Sequence, residues 1–278
     1  MNCTVKDKTG TLQEEDISQF MKAHAHVFDG ARKGDVAYTD NLGWLDVHEW
    51  AGEGVISRIE ELSAKIRADA EIFVLIGVGG SNNGARAVIE ALGGGEGSPE
   101  IIYAGNSVAS FAIEDALRRC DGKSVYVHCI AKNFETLEPG VAFRVFRQML
   151  EERYGSDANR RIITTGTIGG SLEQLSEEKK YTFLPFPTNI GGRFSVLSYV
   201  GLLPMAVAGI DIRSLVGGAQ KMEAELRNVA GEENDAFRYA AIRNLLYQRG
   251  YKIELLAAFD PRLRWFFKWW VQLFAESE

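Results

Sequence analysis

Short apolar runs alternate with amphipathic stretches through the middle of the chain. The runs predict β-strands at 72–76, 101–104, 124–131, 162–165 and 181–184. The stretches between them carry apolar residues at intervals of three and four, which is typical of helices with one buried face. Strands that alternate with helices form a parallel sheet with helices on both faces. The pattern therefore predicts an α/β fold, with three αβα layers around a five-stranded parallel sheet.

Helical periodicity also flanks this region, and it predicts helices over 12–28, 55–66, 212–227 and 235–248. His24 lies on the apolar face of the first of these, where a histidine is usually half-buried with a backbone partner. A sixth strand is predicted at 252–259, and a final helix follows it. That helix is apolar around nearly its whole circumference, so we expect it to begin an incomplete second unit that another surface covers.

The turn after the first predicted strand, from Gly77 to Ser81, is the stretch richest in chemistry. A glycine turn that opens a helix directs free backbone N–H groups and the positive end of the helix dipole at one spot, which suits a phosphate. The spacing is not a dinucleotide fingerprint, because Asn82 stands where the third glycine belongs, and no Gly-Lys-Ser/Thr follows. The residues alone leave two interpretations, an anion site or a tight turn that needs glycine for backbone shape.

The composition of the chain bears on its partners and on its cellular compartment. The net charge of −7 argues against a nucleic-acid partner. Cys3, Cys120 and Cys129 lack the spacing of metal ligands, and such sparse cysteine use is typical of a reducing cytoplasm. The N-terminus lacks an apolar signal core, and no apolar run is long enough to span a membrane. We expect a cytoplasmic protein without nucleic-acid or membrane partners.

Four segments together resemble the bacterial glucose-6-phosphate isomerase (phosphoglucose isomerase) family. They are IGVGGSNNGARA at 76–87, AKNFETLEP at 131–139, NIGGRFSVLSYVGLLPMAVAGIDI at 189–212 and WWVQLFAESE at 269–278. GGRFS is the most specific of these motifs, whereas GGS alone would be weak. The resemblance runs from about Trp44 to the last residue and covers the first half or more of that family's chain.

The resemblance implies a fold built from sugar isomerase (SIS) domains. The resemblance divides the chain into an N-terminal helical segment (1–68), a first SIS domain (69–208), connecting helices (209–250) and the beginning of a second SIS domain (251–278). It implies a homodimer that acts on a hexose phosphate without a cofactor or a metal. It also places the family's ring-opening histidine and lysine beyond residue 278.

The resemblance assigns roles residue by residue. The residues that would hold the phosphate of the substrate are Gly80, Ser81, Lys132, Asn133 and Thr136. Arg193 would stabilise the enediolate, and Glu276 would move a proton between C2 and C1. One carboxylate can serve two neighbouring carbons, and a fixed guanidinium stabilises the charge that develops on oxygen.

Without the resemblance these side chains are ordinary. Arg193 would be a local ion pair or cap, and Glu276 would be a solvated residue near a terminus. The predicted phosphate loop also departs from the family's pattern, since Ala131 and Asn133 replace hydroxyl residues and Glu135 replaces a threonine. A carboxylate near the phosphate opposes binding unless it points away.

The functional hypothesis is interconversion of glucose 6-phosphate and fructose 6-phosphate, weak or inactive in the 278-residue chain. The alternative is a non-catalytic sugar-phosphate-binding SIS module or a decayed isomerase fragment. The isomerase hypothesis requires the amides around Ser81 and the guanidinium of Arg193 to share one rim of the sheet. The loop of Lys132 and the segment 164–165 are expected to converge there as well.

Overall fold

The computed structural model of the chain describes residues 10–34, 41–229 and 231–277, so Cys3 lies outside the described residues. The strands are β1 (Ile72–Ile76), β2 (Glu100–Ala104), β3 (Val125–Ala131), β4 (Ile162–Gly166) and β5 (Thr182–Pro185). The helices are α1 (Glu14–Ala23), α2 (Ala25–Lys33), α3 (Val47–Trp50), α4 (Glu53–Asp69), α5 (Gly80–Leu92), α6 (Ser110–Arg119), α7 (Leu137–Tyr154), α8 (Ser171–Lys179), α9 (Tyr199–Val207), α10 (Ile212–Asn228), α11 (Asp235–Gln248) and α12 (Arg264–Ala275).

The strands form one parallel sheet in the order β2-β1-β3-β4-β5. The last residue of β1, Ile76, is level with Ala104 of β2 and Cys129 of β3. The loops that follow these strands therefore leave from the same edge of the sheet. The predicted five-stranded parallel sheet is confirmed.

The two faces of β1 enter two separate cores. Phe73 and Leu75 pack with residues of α4, α5, α9 and α10 on one side of the sheet. Ile72, Val74 and Ile76 pack with residues of α6, α7 and α8 on the other. An unbroken apolar strand is stable only where both faces are covered, so the sequence of β1 matches its place in the middle layer. The predicted three-layer arrangement is confirmed.

The N-terminal helices differ from the prediction in one respect. The helix predicted over 12–28 is two helices, because the chain turns at His24 (φ −109°, ψ 11°). The ring of His24 stacks on Phe20, and its Nδ1 lies 2.8 Å from the Phe20 carbonyl oxygen. The half-buried histidine with a backbone partner is thus confirmed. α1 packs against α11 in a third, smaller core.

The strand predicted at 252–259 is wrong. These residues are irregular, and the apolar side chains of Ile253 and Leu255 are 90% and 84% exposed. A strand needs a neighbour to bond its backbone, and within the described part of the chain none lies beside this segment. Apolar alternation indicated the tendency to be a strand but could not supply the partner.

The final helix, α12, packs on α5 rather than standing apart. The ring of Trp265 lies over the guanidinium of Arg86, whose carbon is 3.5 Å from the ring centroid. The far side of α12 is open, since Val271 is 60% exposed. Among the described residues, no helix is long and apolar enough to cross a bilayer.

Candidate functional site

The sheet order places a crevice beyond the carboxyl ends of β1 and β3. In a doubly wound sheet of order 2-1-3-4-5, the connection from β1 leads to one side, toward β2, and the connection from β3 leads to the other, toward β4. The two connections diverge and leave a crevice between them, in which ligands bind. The turn between β1 and α5 forms one wall. The loop between β3 and α7 forms the other.

The glycine turn rests directly on the segment that carries Arg193. A Cβ atom added to Gly80 would lie 2.1 Å from the carbonyl carbon of Gly192 and 2.4 Å from the amide nitrogen of Arg193. Gly79, which precedes α5, has a positive φ of 56°. Glycine is required at Gly79 for backbone shape and at Gly80 for close approach. Ser81 lies half-buried in the first turn of α5, next to this contact.

Arg193 and Glu276 meet at the same rim. Nη1 of Arg193 is 3.6 Å from Oε2 of Glu276, and the two side chains are 22% and 50% exposed. The Nε–H of Arg193 donates to Oγ of Ser277 at 2.8 Å. The indole N–H of Trp269 donates to the carbonyl oxygen of Arg193 at 2.7 Å. The end of α12 therefore holds both the backbone and the side chain of Arg193.

Lys132 ties the second loop to the same segment. Its ammonium donates to the carbonyl oxygen of Ile190 at 3.2 Å, three residues before Arg193. The hydroxyl of Thr167 donates to the carbonyl oxygen of Lys132 at 2.8 Å, which fixes the start of the loop. The glycine turn, the Lys132 loop and α12 thus all contact the segment around Arg193.

Asn133 and Thr136 make their hydrogen bonds within their own loop. Oδ1 of Asn133 accepts from the amide of Glu135 at 3.0 Å, and the hydroxyl of Thr136 donates to the carbonyl oxygen of Asn133 at 2.9 Å. These bonds close the turn that leads into α7. The carboxylate of Glu135 is exposed. Neither the Asn133 nor the Thr136 side chain therefore forms a hydrogen bond with Gly80, Ser81, Arg193 or Glu276.

The expectation for segment 164–165 is wrong, because both threonines lie buried within β4. Oγ1 of Thr165 is 2.8 Å from Nε2 of His128, and Oγ1 of Thr164 is 2.8 Å from Oγ of Ser176. Burial lowers the pKa of His128 to about 3, so this imidazole stays neutral inside the sheet. These residues belong to the core.

Two residues of the site were not predicted from the sequence. Nδ2 of Asn83 donates to Oε1 of Gln272 at 2.8 Å, and Nε2 of Gln272 donates to Oε1 of Glu276 at 2.9 Å. Gln272 precedes Glu276 by four residues, about one helical turn, and this spacing could have predicted their contact. Asn83 is far from both along the chain, so only the packing of α5 on α12 reveals it. Among the described residues, no three His, Cys, Asp or Glu side chains come together to hold a metal ion.

The fold and the rim together define a doubly wound α/β protein with a glycine turn, an arginine and a carboxylate at its switch point. The family model for phosphoglucose isomerase matches residues 54–278, and the chain belongs to that family.

The curated relatives agree with this assignment. The glucose-6-phosphate isomerase of Staphylococcus saprophyticus is 42% identical over 271 residues, which are 95% of this chain and 61% of the relative. That of Fusobacterium nucleatum is 39% identical, over 96% of this chain and 62% of the relative. The chain thus spans about three-fifths of the length of these relatives.

Two solved structures share the fold. A hypothetical protein from Thermus thermophilus matches with a TM-score of 0.83 and 28% identity, over 95% of this chain and 63% of that one. A glucose-6-phosphate isomerase from Chlamydia trachomatis matches with a TM-score of 0.66 and 20% identity, over 95% of this chain and 54% of that one. At that identity the second likeness concerns the fold alone.

Proposed function

We propose that this chain carries the phosphate turn and the proton-transfer pair of a glucose-6-phosphate isomerase. The observation that carries the proposal is the 3.6 Å approach of Arg193 to Glu276 at the switch point, against the turn that begins α5. The proposal has two parts, because the chain covers about three-fifths of the length of its relatives. The first part is that the chain carries out the proton transfer, and the second is that it catalyses the whole reaction.

The carboxylate of Glu276 acts as the base. It takes the proton from C2 of the open-chain aldose and returns it to C1, while the proton of the C2 hydroxyl passes to O1. C1 thus becomes a hydroxymethyl group, and C2 becomes the ketone carbon. Negative charge passes through the enediolate oxygens, where the guanidinium of Arg193 stabilises it. Removal of one such preorganised donor typically lowers the rate about 10²- to 10³-fold.

The phosphate is held by the start of α5 and by Lys132. The positive end of the helix dipole at the start of α5 favours an anion, and the hydroxyl of Ser81 adds a donor. Lys132 contributes positive charge from the opposite wall. Asn133 and Thr136 lie in the same loop as Lys132, but their hydrogen bonds lie within that loop. We therefore expect them to contribute less to affinity than Ser81 and Lys132.

The cellular setting follows from the same proposal. The relatives carry the name glucose-6-phosphate isomerase, which supports a hexose phosphate as the substrate. Sparse cysteine use supports a cytoplasmic location, and the resemblance to the family supports a homodimer. Light scattering of the purified chain would measure its assembly state directly.

The test separates proton transfer from full turnover. The purified chain is incubated with fructose 6-phosphate in D₂O, and NMR follows deuterium entering C1, a step that requires the base. A coupled assay measures formation of glucose 6-phosphate, and calorimetric titration measures binding. We expect measurable exchange in the unaltered chain. Glu276→Gln should lower it at least about a hundredfold, while Glu177→Gln, which alters an exposed carboxylate near the end of α8, should change it little.

Three outcomes would contradict parts of the proposal. Exchange that survives Glu276→Gln would remove that residue as the base. Saturable binding without exchange would favour the non-catalytic sugar-phosphate module, and absence of saturable heat would exclude both functions for this chain.

A further inference from the structure

Two hydrogen bonds link the first turns of α5 to the carboxylate of Glu276. Asn83 donates through Nδ2 to Oε1 of Gln272 at 2.8 Å, and Gln272 donates through Nε2 to Oε1 of Glu276 at 2.9 Å. The carboxamide of Gln272 also lies over the glycine turn, since a Cβ atom on Gly79 would be 2.8 Å from its Nε2. The partly buried amide group is thus in contact with α5, the turn and its own helix.

The direction of these bonds is fixed by chemistry. An ionised carboxylate only accepts hydrogen bonds, so Gln272 must present its NH₂ group to Glu276. Its carbonyl oxygen then faces Asn83, and that oxygen needs a donor. Of the two ends of the Asn83 amide, only the NH₂ group provides one. The network therefore has a single consistent arrangement.

We propose that Asn83 is a positioning residue that orients Glu276 through Gln272, an inference that rests on the proposed function. The bond from Gln272 occupies Oε1 of the carboxylate. Oε2, which faces Arg193 at 3.6 Å, is the oxygen that takes the proton from carbon. The electron pair of the broken C–H bond enters the enediolate beside the guanidinium, and Oε2 returns the proton to the neighbouring carbon.

Two substitutions at Asn83 test the direction of the bonds. Asn83→Ala removes the donor. Asn83→Asp keeps the shape but replaces the donor with an acceptor, which turns the NH₂ group of Gln272 away from Glu276. A carboxylate near the N-terminus of a helix is favourable, so this variant retains α5. Arg86→Gln is the matched control, because Arg86 joins the same two helices through Trp265 but lies outside the network.

The first readout is deuterium exchange at C1 of saturating fructose 6-phosphate, with the dissociation constant measured separately. We expect about a tenfold lower rate in Asn83→Ala and about a hundredfold lower rate in Asn83→Asp, because small misplacements of a reacting group are costly. The dissociation constant of Asn83→Ala should stay within about twofold, and Arg86→Gln should keep the exchange rate within the same factor. An Asn83→Asp rate equal to or above that of Asn83→Ala, or an equal loss in Arg86→Gln, would overturn the proposal.

The second readout does not depend on activity. The side-chain amide of Gln272 is observed by ¹⁵N NMR, assigned by its loss in Gln272→Glu. Its resonances should shift strongly in Asn83→Asp and hardly in Arg86→Gln. If the unaltered chain exchanges no deuterium, the proposed function fails while this shift still supports the network. Unchanged Gln272 resonances in both Asn83 variants would refute the network itself.

Discussion

Gly80→Ala is the substitution that most directly tests how the site is assembled. Its new Cβ would lie 2.1 Å from the carbonyl carbon of Gly192, 2.2 Å from the oxygen, and 2.4 Å from the amide nitrogen of Arg193. All three atoms are backbone, so no side chain can rotate away. Ordinary carbon contacts are about 3.5–4.0 Å, and the two segments must separate by roughly 1 Å or more.

Overpacking of this kind costs about 1–3 kcal/mol in free energy of unfolding, against a gain of less than about 1 kcal/mol from the helix propensity of alanine. Urea unfolding should show the net loss, and Tm should fall by roughly 2–4 °C for each kcal/mol. Separation of the turn from Arg193 should also weaken binding of fructose 6-phosphate about tenfold or more by calorimetry.

Gly217→Ala provides the matched control. Gly217 lies inside α10, and a Cβ atom there would have nothing within 4 Å. The same change should raise stability by about 0.5–1 kcal/mol, since glycine is a poor helix former. A Gly80→Ala chain as stable as this control, with unchanged affinity, would show that the turn and the Arg193 segment do not need their close contact.

Three further outcomes follow from the structure. Burial lowers the pKa of His128 to about 3, below the 6.5 of an exposed histidine, so its contribution to stability is complete above pH 6.5 and is lost as pH falls toward 3. The free energy of unfolding in urea should fall by up to about 1.4 kcal/mol per pH unit relative to His128→Gln, and parallel curves would contradict this. Trp269→Phe removes the 2.7 Å bond to the Arg193 carbonyl and should cost about 1 kcal/mol in the same assay, whereas no loss would show that water replaces the indole. Burial raises the pKa of the Cys129 thiol, and it raises the pKa of the Cys120 thiol to about 11. Iodoacetamide at pH 8 should therefore modify both thiols only after urea is added, as mass spectrometry would show.

The sheet and the glycine turn could be predicted because their signals are local. The apolar run of β1 and the glycines after it each indicate a structure without reference to distant residues. The segment 252–259 shows the limit, since its alternation indicates a strand but the pairing depends on another element. The break at His24 also escaped prediction, because the apolar period continues through it. Asn83 carried no signal of its role, which arises only when α12 packs on α5.

One stripe of α12 both anchors the helix and aims the proposed base. Residues three or four positions apart lie on one side of a helix, and those on this stripe are Trp265, Trp269, Gln272 and Glu276. The first two contact Arg86 and the Arg193 carbonyl, and the last two form the network that ends at the carboxylate. A rotation of the helix by one residue, about 100°, would move all four together. The bond from Trp269 to the Arg193 carbonyl therefore holds α12 at the rotation that presents Glu276 to Arg193, and loss of Trp269 should misplace the carboxylate even where the site residues themselves are intact.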